Sequence, residues 1–446
     1  MRELSKVDDE NSKRKIFQNA LSLRVILTAV AMTFAVFAAF AAPVFRENLV
    51  ARSVAIAAIA TFFTIGAGTL SMILQSEMKM RNLAIAQIFG KTLAVGAIYI
   101  VCKFIFTIPN SDAFFAVIYA SILGAIATLI LTFFFARKLI QIRFRFNSTF
   151  AKKFLRAAAP FGLAIILGTI YFKIDIVLFS FLLPAAENEF CNFKFCAETE
   201  AANYGVAVRL LEFLTVFPLF FANAFLPVLS RRVKKIDEKL RQFLQKIFKI
   251  ALIFGLTMTA SVAFLSREII LLIADSKFLS NFDRGIFGAD LAVQILSAAA
   301  AASFLAIILN FFLIAFGAQK KILKINFIAT VFNFATNLIF IPKFGFIGAA
   351  ATSVGSEILV FVLAFFAFSK IVPKFYVSFF ATLKIIFISF STAFFARGTL
   401  DFFAQFFNLE ISFFAAVFAG GAVFAILVFI LQIFKIADLQ ILLRRK

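Results

Sequence analysis

The 446-residue chain is 63% hydrophobic and carries a formal charge of +22. That apolar share excludes a soluble domain, whose surface has to be covered by polar groups. It also turns the basic excess away from nucleic acid and toward the Lys and Arg that load the cytoplasmic loops of membrane proteins.

Apolar runs of about 20 residues recur along the whole length, as in an all-α bundle of membrane-spanning helices. A β-barrel is excluded, because its strands alternate and run only ~10 residues. The start, MRELSKVDDENSKRK, is polar and mixed in charge, and the first apolar run exceeds a signal-peptide core, so no cleavable leader is expected. Twelve spans follow, at roughly 20–43, 54–76, 82–106, 113–136, 157–184, 201–229, 243–265, 291–317, 322–342, 346–369, 378–397 and 411–434.

With the N-terminus placed in the cytoplasm, the inner loops collect Lys79 and Arg81, the run from Arg137 to Arg156, the run from Arg231 to Lys249, Lys320, Lys321, Lys324, Lys370 and Lys374. The outer loops hold only scattered cations such as Arg46, Arg52, Lys103, Lys194, Arg267 and Lys343. An error of one span would scramble this asymmetry. The expectation is therefore a multi-pass protein of the cytoplasmic membrane with both termini inside.

Taken in order, Arg24 sits near the inner end of the first span and Lys91 lies inside the third. Each either lines a cavity or snorkels to the interface. Residues Arg81–Phe104 and Lys321–Phe344 share a basic start and a closing Lys-Phe. This hints at two parallel halves flanking a midplane site. In the outer loop 185–202, Cys191 and Cys196 either pair in an oxidising compartment or stay free, while Cys102 reads as packing. No residue spacing resembles a metal site, and the absence of His removes the commonest ligand and the usual proton relay. The inner stretch 231–249 reads as a basic amphipathic helix with Phe243 and Ile247 on one side, lying on the anionic inner leaflet or serving as a solvated linker. Residues 267–290 are too short to cross and read as a partial helix at the outer interface.

The strongest functional signal is the pair of spans between Ala157 and Ser230. IYFKIDIVLFS places Lys173 and Asp175 inside an apolar helix, and NYGVAVRLLEFLTVFP places Arg209 and Glu212 in the next. A charge near the bilayer centre costs at least ~2.5–3.5 kcal/mol, so such residues usually face a cavity. The competing reading is mutual pairing between helices. Arg209 and Glu212 are three apart and share a helix face, whereas Lys173 and Asp175 are two apart and do not, which leaves Asp175 as the freer carboxylate. Asn333 and Asn337, one turn apart, either hydrogen-bond a polar ligand or hold helices together, and GAAATSVGS (Gly348–Ser356) reads as a close-packing surface. Glu357 is a lesser carboxylate candidate.

The run P-F-G-L…I-Y-F-K-I-D-I-V-L-F-S, then N-Y-G-V-A-V-R-L-L-E-F-L and F-L-P-V-L-S-R, resembles the oligosaccharide-lipid and polysaccharide flippases of the multidrug/oligosaccharidyl-lipid/polysaccharide exporter superfamily. N-F-F-L-I-A-F-G-A-Q-K-K (Asn310–Lys321) and N-F-A-T-N-L-I-F-I-P-K-F-G-F-I-G-A-A-A (Asn333–Ala351) match the same family, so the resemblance spans essentially the whole chain. It implies a two-lobed transporter that alternates between inward and outward openings and carries a polyprenyl-pyrophosphate-linked oligosaccharide. Its charged motif positions fall on Lys173, Asp175, Arg209 and Glu212, and its amide positions on Asn310, Asn333 and Asn337. The opening REL-S-K-V-D-D-E resembles the family's loop after its second helix. On that alignment the first lobe, residues 1–150, lacks two helices, 151–375 is the second lobe, and 376–446 adds two spans.

The expected chemistry is a polar cleft for the head group, with Arg209 and then Lys173 holding the pyrophosphate and Lys91 as a further cation. Asp175 and Glu212 either position those cations or take up a coupling H⁺ or Na⁺. The expected partners are the lipid-linked oligosaccharide, membrane lipids and other polysaccharide-assembly proteins. The alternatives are an ion-coupled exporter of small cationic molecules from the same superfamily and, third, a membrane enzyme of polysaccharide assembly. The third would need a sizeable aqueous loop and a catalytic constellation, and the sequence offers neither.

Overall fold

The computed structural model describes residues 10–41, 49–77, 79–104, 110–141, 143–183, 196–232, 237–376 and 378–431. The helices are α1 (Glu10–Ala41), α2 (Leu49–Ser76), α3 (Met80–Phe104), α4 (Asn110–Arg137), α5 (Ser148–Leu182) and α6 (Ala197–Arg232). They continue with α7 (Glu238–Phe264), α8 (Ser266–Ile273), α9 (Ala289–Ala315), α10 (Gln319–Ser369), α11 (Phe379–Phe403) and α12 (Leu409–Ile430). Among the described residues, eleven helices are long and apolar enough to cross a membrane. The chain is a multi-pass membrane protein.

Helix α10 runs for 51 residues. A straight helix of that length would measure about 76 Å, more than twice the ~30 Å hydrocarbon core. It folds back instead. Gly345 sits at φ 56° and ψ −136°, outside helical space, three residues after Pro342. Positive φ carries no Cβ penalty in glycine. The two limbs then run antiparallel: Asn333 Nδ2 donates to Ser356 Oγ at 3.2 Å, and Lys321 Nζ to the Ala367 carbonyl at 3.3 Å. Gly348 allows the crossing, because a Cβ there would collide with the Phe340 carbonyl. Counting both limbs, the described residues hold twelve segments of membrane-crossing length.

The chain divides into two compact units, residues 1–158 and 159–446. In the first, α2 packs on α1 and α4, and α3 packs on α4. Its core holds Phe17, Leu21, Leu70, Ile73 and Ala136. The α3–α4 contact is close because Gly90 and Gly124 face each other: a Cβ on Gly90 would strike Thr128, and one on Gly124 would strike Ala94. Small residues set such membrane-helix approaches, where burial in lipid gives no drive of its own. Gln18 Nε2 donates to the Gln141 carbonyl at 3.0 Å, and the Arg145 amide donates to Ser22 Oγ at 2.8 Å, which ties the chain after α4 back to α1.

In the second unit α9 is the hub, packing against α6, α7, α8 and α10. Helices α11 and α12 belong to this unit, since α11 packs on α7. Arg397 of α11 also bonds Glu268 of α8 at 2.8 Å. Large apolar side chains such as Phe220, Phe380, Phe418 and Phe429 stay exposed, as lipid-facing positions do.

The basic stretch at 238–249 is not a surface helix on the leaflet. It forms the first turns of α7, capped by Asp237, whose carboxylate accepts from the Leu240 amide at 2.7 Å. Phe243, Ile247 and Phe248 are buried in the unit's own core, with Phe243 against Phe225 and Phe248 against Phe375. The apolar stripe is satisfied by protein, and only the Lys/Arg face is left outside. The segment after α7 holds α8, two single 3₁₀ turns and one bridge between Asn281 and Ile286, and does not cross. Asp290 pins it to α9 by accepting from the Ser280 amide and hydroxyl at 2.8 and 2.6 Å. Cys196 is disulfide-bonded and Cys102 is free. Cys191, the expected partner, lies outside the described residues.

Candidate functional site

Helices α5 and α6 each carry charge on one face and a buried polar group on the other. On α5, Tyr171 and Asp175 are one turn apart and point into the second unit, while Lys173 between them points out. On α6, Tyr204, Val208 and Leu211 form the buried stripe, and Arg209 and Glu212 lie on the exposed side.

The outward group is ionic. Lys173 bonds Glu212, and the two side chains remain 49% and 37% exposed. Arg209 is exposed too and lies near enough to Lys173 for their charges to interact. The partner of Glu212 is thus Lys173 on the neighbouring helix rather than Arg209 on its own. The i,i+3 spacing permits the second pairing, but the long Lys side chain reaches across from α5 and takes the carboxylate.

The inward group is neutral around one carboxylate. Asp175 is fully buried. Its Oδ1 accepts from Asn337 Nδ2 at 2.7 Å, and its Oδ2 accepts from the Tyr204 hydroxyl at 2.5 Å and the Ser353 hydroxyl at 2.8 Å. Tyr204 and Ser353 are themselves 2.9 Å apart. Asn337 Nδ2 also donates to Asn333 Oδ1 at 3.0 Å, and Asn333 passes the chain to Ser356. The hairpin of α10 builds this cluster, with Asn333 and Asn337 on one limb and Ser353 and Ser356 on the other. Asn337 Oδ1 is buried with no hydrogen-bond partner.

Asn333 and Asn337 are therefore turned into the unit and engaged with Asp175 and Ser356. Asn310 on α9 is half-buried, with its Oδ1 unpartnered. In the first unit, Lys91 is exposed along α3 and Arg24 is half-buried with Nη1 3.9 Å from Met72 Sδ. Sequence reasoning missed Tyr171, Tyr204 and Ser353. The legible clue was spacing: Tyr171 stands one turn before Asp175, and Tyr204 opens the charged NYGVAVRLLE run. Ser353 was hidden in a small-residue stretch read only as packing. Among the described residues no cluster of metal-ligating side chains is present.

A second tie joins α6 to α10. Glu200, near the start of α6 and buried, accepts from the amide of Phe346. That amide is the first freed by the break at Gly345, so the carboxylate caps the second limb and is favoured there by the helix dipole.

The family model described as "Polysaccharide biosynthesis protein" matches residues 1–233, just over half of the chain. The chain belongs to this family. Its fold is shared with the lipid II flippase MurJ in an inward closed conformation, at TM-score 0.72 and 16% identity over 96% of this chain and 86% of that one. It is also shared with a multidrug resistance MATE family transporter of the MOP superfamily in an inward-facing conformation, at TM-score 0.61 and 16% identity over 80% of this chain and 81% of that one. No curated protein matches in sequence. The chain thus has the fold that these two transporters share, and the residues of the candidate site lie on helices of that fold.

Proposed function

We propose that the protein flips a polyprenyl-pyrophosphate-linked oligosaccharide across the cytoplasmic membrane for polysaccharide biosynthesis, by alternating access and with both termini in the cytoplasm. The observation that carries this reading is the exposed Lys173–Glu212 pair with Arg209 beside it, all within membrane spans. Facing lipid, such charges would cost several kcal/mol, so they face water. Two cations against one carboxylate leave a net positive patch, suited to a pyrophosphate. The planar fork of Arg209 can take two phosphate oxygens at once, with Lys173 as a second point charge. The polyprenyl tail stays in hydrocarbon while the head group passes. Lys91 and Arg24 are further cation candidates, and Asn310 a further hydrogen-bonding one. The fold likeness to a lipid II flippase supports a lipid-linked substrate, and the family description supports a polysaccharide pathway; the partners on this reading are the lipid-linked oligosaccharide, membrane lipids and other assembly proteins.

Asp175 is the candidate for the coupling ion, H⁺ or Na⁺. Its Oδ2 forms a triangle with the Tyr204 and Ser353 hydroxyls, with edges of 2.5, 2.8 and 2.9 Å. Two hydroxyls supply two hydrogens for three edges, and a proton on the carboxyl supplies the third. On this reading the protein makes and breaks no covalent bond.

The second reading, an ion-coupled exporter of small cations, draws on the MATE likeness and on buried acids in the second unit. One experiment separates them. Purified protein in vesicles is given a fluorescent polyprenyl-pyrophosphate oligosaccharide, or a fluorescent organic cation, with a membrane-impermeant quencher outside. Protein-dependent movement of the lipid-linked sugar is expected. Movement of the cation alone would reject the flippase reading.

A further inference from the structure

Glu357 is a second buried carboxylate of the same unit, 3% exposed, on the second limb of α10. Tyr171 of α5 donates to its Oε1 at 3.1 Å, and Ser303 of α9 donates to it as well. Among the described residues no Lys or Arg forms an ion pair with it. Lys173 and Arg209 lie on the outward faces of their helices. Neutral hydroxyls do not offset the burial of a lone carboxylate charge, so the charge at Glu357 has to be met by something that can enter.

A small cavity supplies the route. Its wall includes Glu357 with Tyr171, and Tyr204 with Ser353, the two hydroxyls that hold Asp175. The space admits about one water molecule. The titratable groups around Glu357 are thus Tyr171 from α5 and, across the cavity, Tyr204 from α6 and Asp175 behind it. Helix α9 contributes Ser303, and the first limb of α10 contributes Asn333 through Ser356. The orphaned Asn337 Oδ1, fully buried beside Asp175, is an acceptor that a water or a carboxyl proton would satisfy.

We propose that Glu357 is a second proton-carrying carboxyl of this unit and exchanges its proton with Asp175 through a water in the cavity and the Ser353 or Tyr204 hydroxyl. The Glu357 O–H bond breaks as the water takes the proton. The water gives one of its own hydrogens to the hydroxyl oxygen, which releases its hydrogen to Asp175 Oδ2. The negative charge moves from Asp175 to Glu357, and nothing is oxidised or reduced. This rests on the reading of Asp175 as the coupling group, with H⁺ as the ion.

The test is infrared difference spectroscopy on the full-length protein in detergent, between about pH 5 and about pH 9, in H₂O and D₂O. Wild type is compared with Glu357→Gln, Glu357→Asp and Asp175→Asn. Two protonated-carboxyl carbonyl bands are expected, both shifting in D₂O. Glu357→Gln should remove one and move the titration of the other by at least half a pH unit. Glu357→Asp, which keeps a carboxyl should the Gln variant fold poorly, should shift that band without abolishing it. A Glu357 band absent at every pH, or constant across the range, overturns the proposal. So does an Asp175 band whose titration ignores Glu357→Gln. No transported substrate enters the measurement, so its failure and a failure of the oligosaccharide reading are told apart.

Discussion

The two faces of α5 and α6 treat charge in opposite ways. Outward, Lys173 and Glu212 form an exposed ion pair, with the exposed Arg209 near Lys173. Inward, Asp175 is sealed among donors that carry no charge. An exposed ion pair contributes little to stability, whereas a buried carboxylate with three donors fixes its surroundings, because each donor left unpaired costs about 1–3 kcal/mol. The same pair of helices can therefore present an adjustable surface to a ligand and a rigid polar core to its own unit.

That contrast can be broken by substitution. The largest effect is expected at Asp175→Ala, which removes the acceptor shared by Tyr204, Ser353 and Asn337 and leaves a cavity in its place. Thermal unfolding in detergent should show a loss of roughly 3 kcal/mol or more. A loss under about 1 kcal/mol would mean that the inward cluster is not what holds α5, α6 and α10 together. Next comes Gly345→Val. A β-branched residue at φ 56° is strained by about 1–3 kcal/mol, and the hairpin that sets Asn337 and Ser353 on either side of Asp175 should loosen by that amount in the same assay. An unchanged midpoint would show that the bend tolerates a side chain. The smallest effect is Lys173→Ala on stability, expected within about 1 kcal/mol of wild type. A larger drop would put the outward group in the same structural class as the inward one.

Much of the fold was legible in sequence. The spans follow from apolar runs, including the break that separates the ninth, 322–342, from the tenth, 346–369. The positions of the four charges were legible for the same reason: charge is conspicuous in an apolar helix. Their partners were not. Spacing along one helix suggested Arg209–Glu212, but a long Lys side chain from α5 competes for that carboxylate, and only tertiary placement decides between them. Asn333 and Asn337 were read as equally suited to sugars or helix contacts. Their engagement with Asp175 depends on a limb-to-limb register that no local pattern encodes. The stretch at 238–249 carried an apolar stripe that a membrane surface and a protein core satisfy equally well, and the core won because Phe225 and Phe375 come to meet it.

The most direct test of the outward group as the substrate anchor is initial flipping rate in vesicles, with fluorescent polyprenyl-pyrophosphate oligosaccharide, for wild type and Arg209→Ala at matched protein incorporation. Losing charge-assisted hydrogen bonds worth about 1.5–3 kcal/mol predicts a rate roughly 10- to 100-fold lower, with thermal stability unchanged. Equal rates in the two proteins would contradict a pyrophosphate held by Arg209.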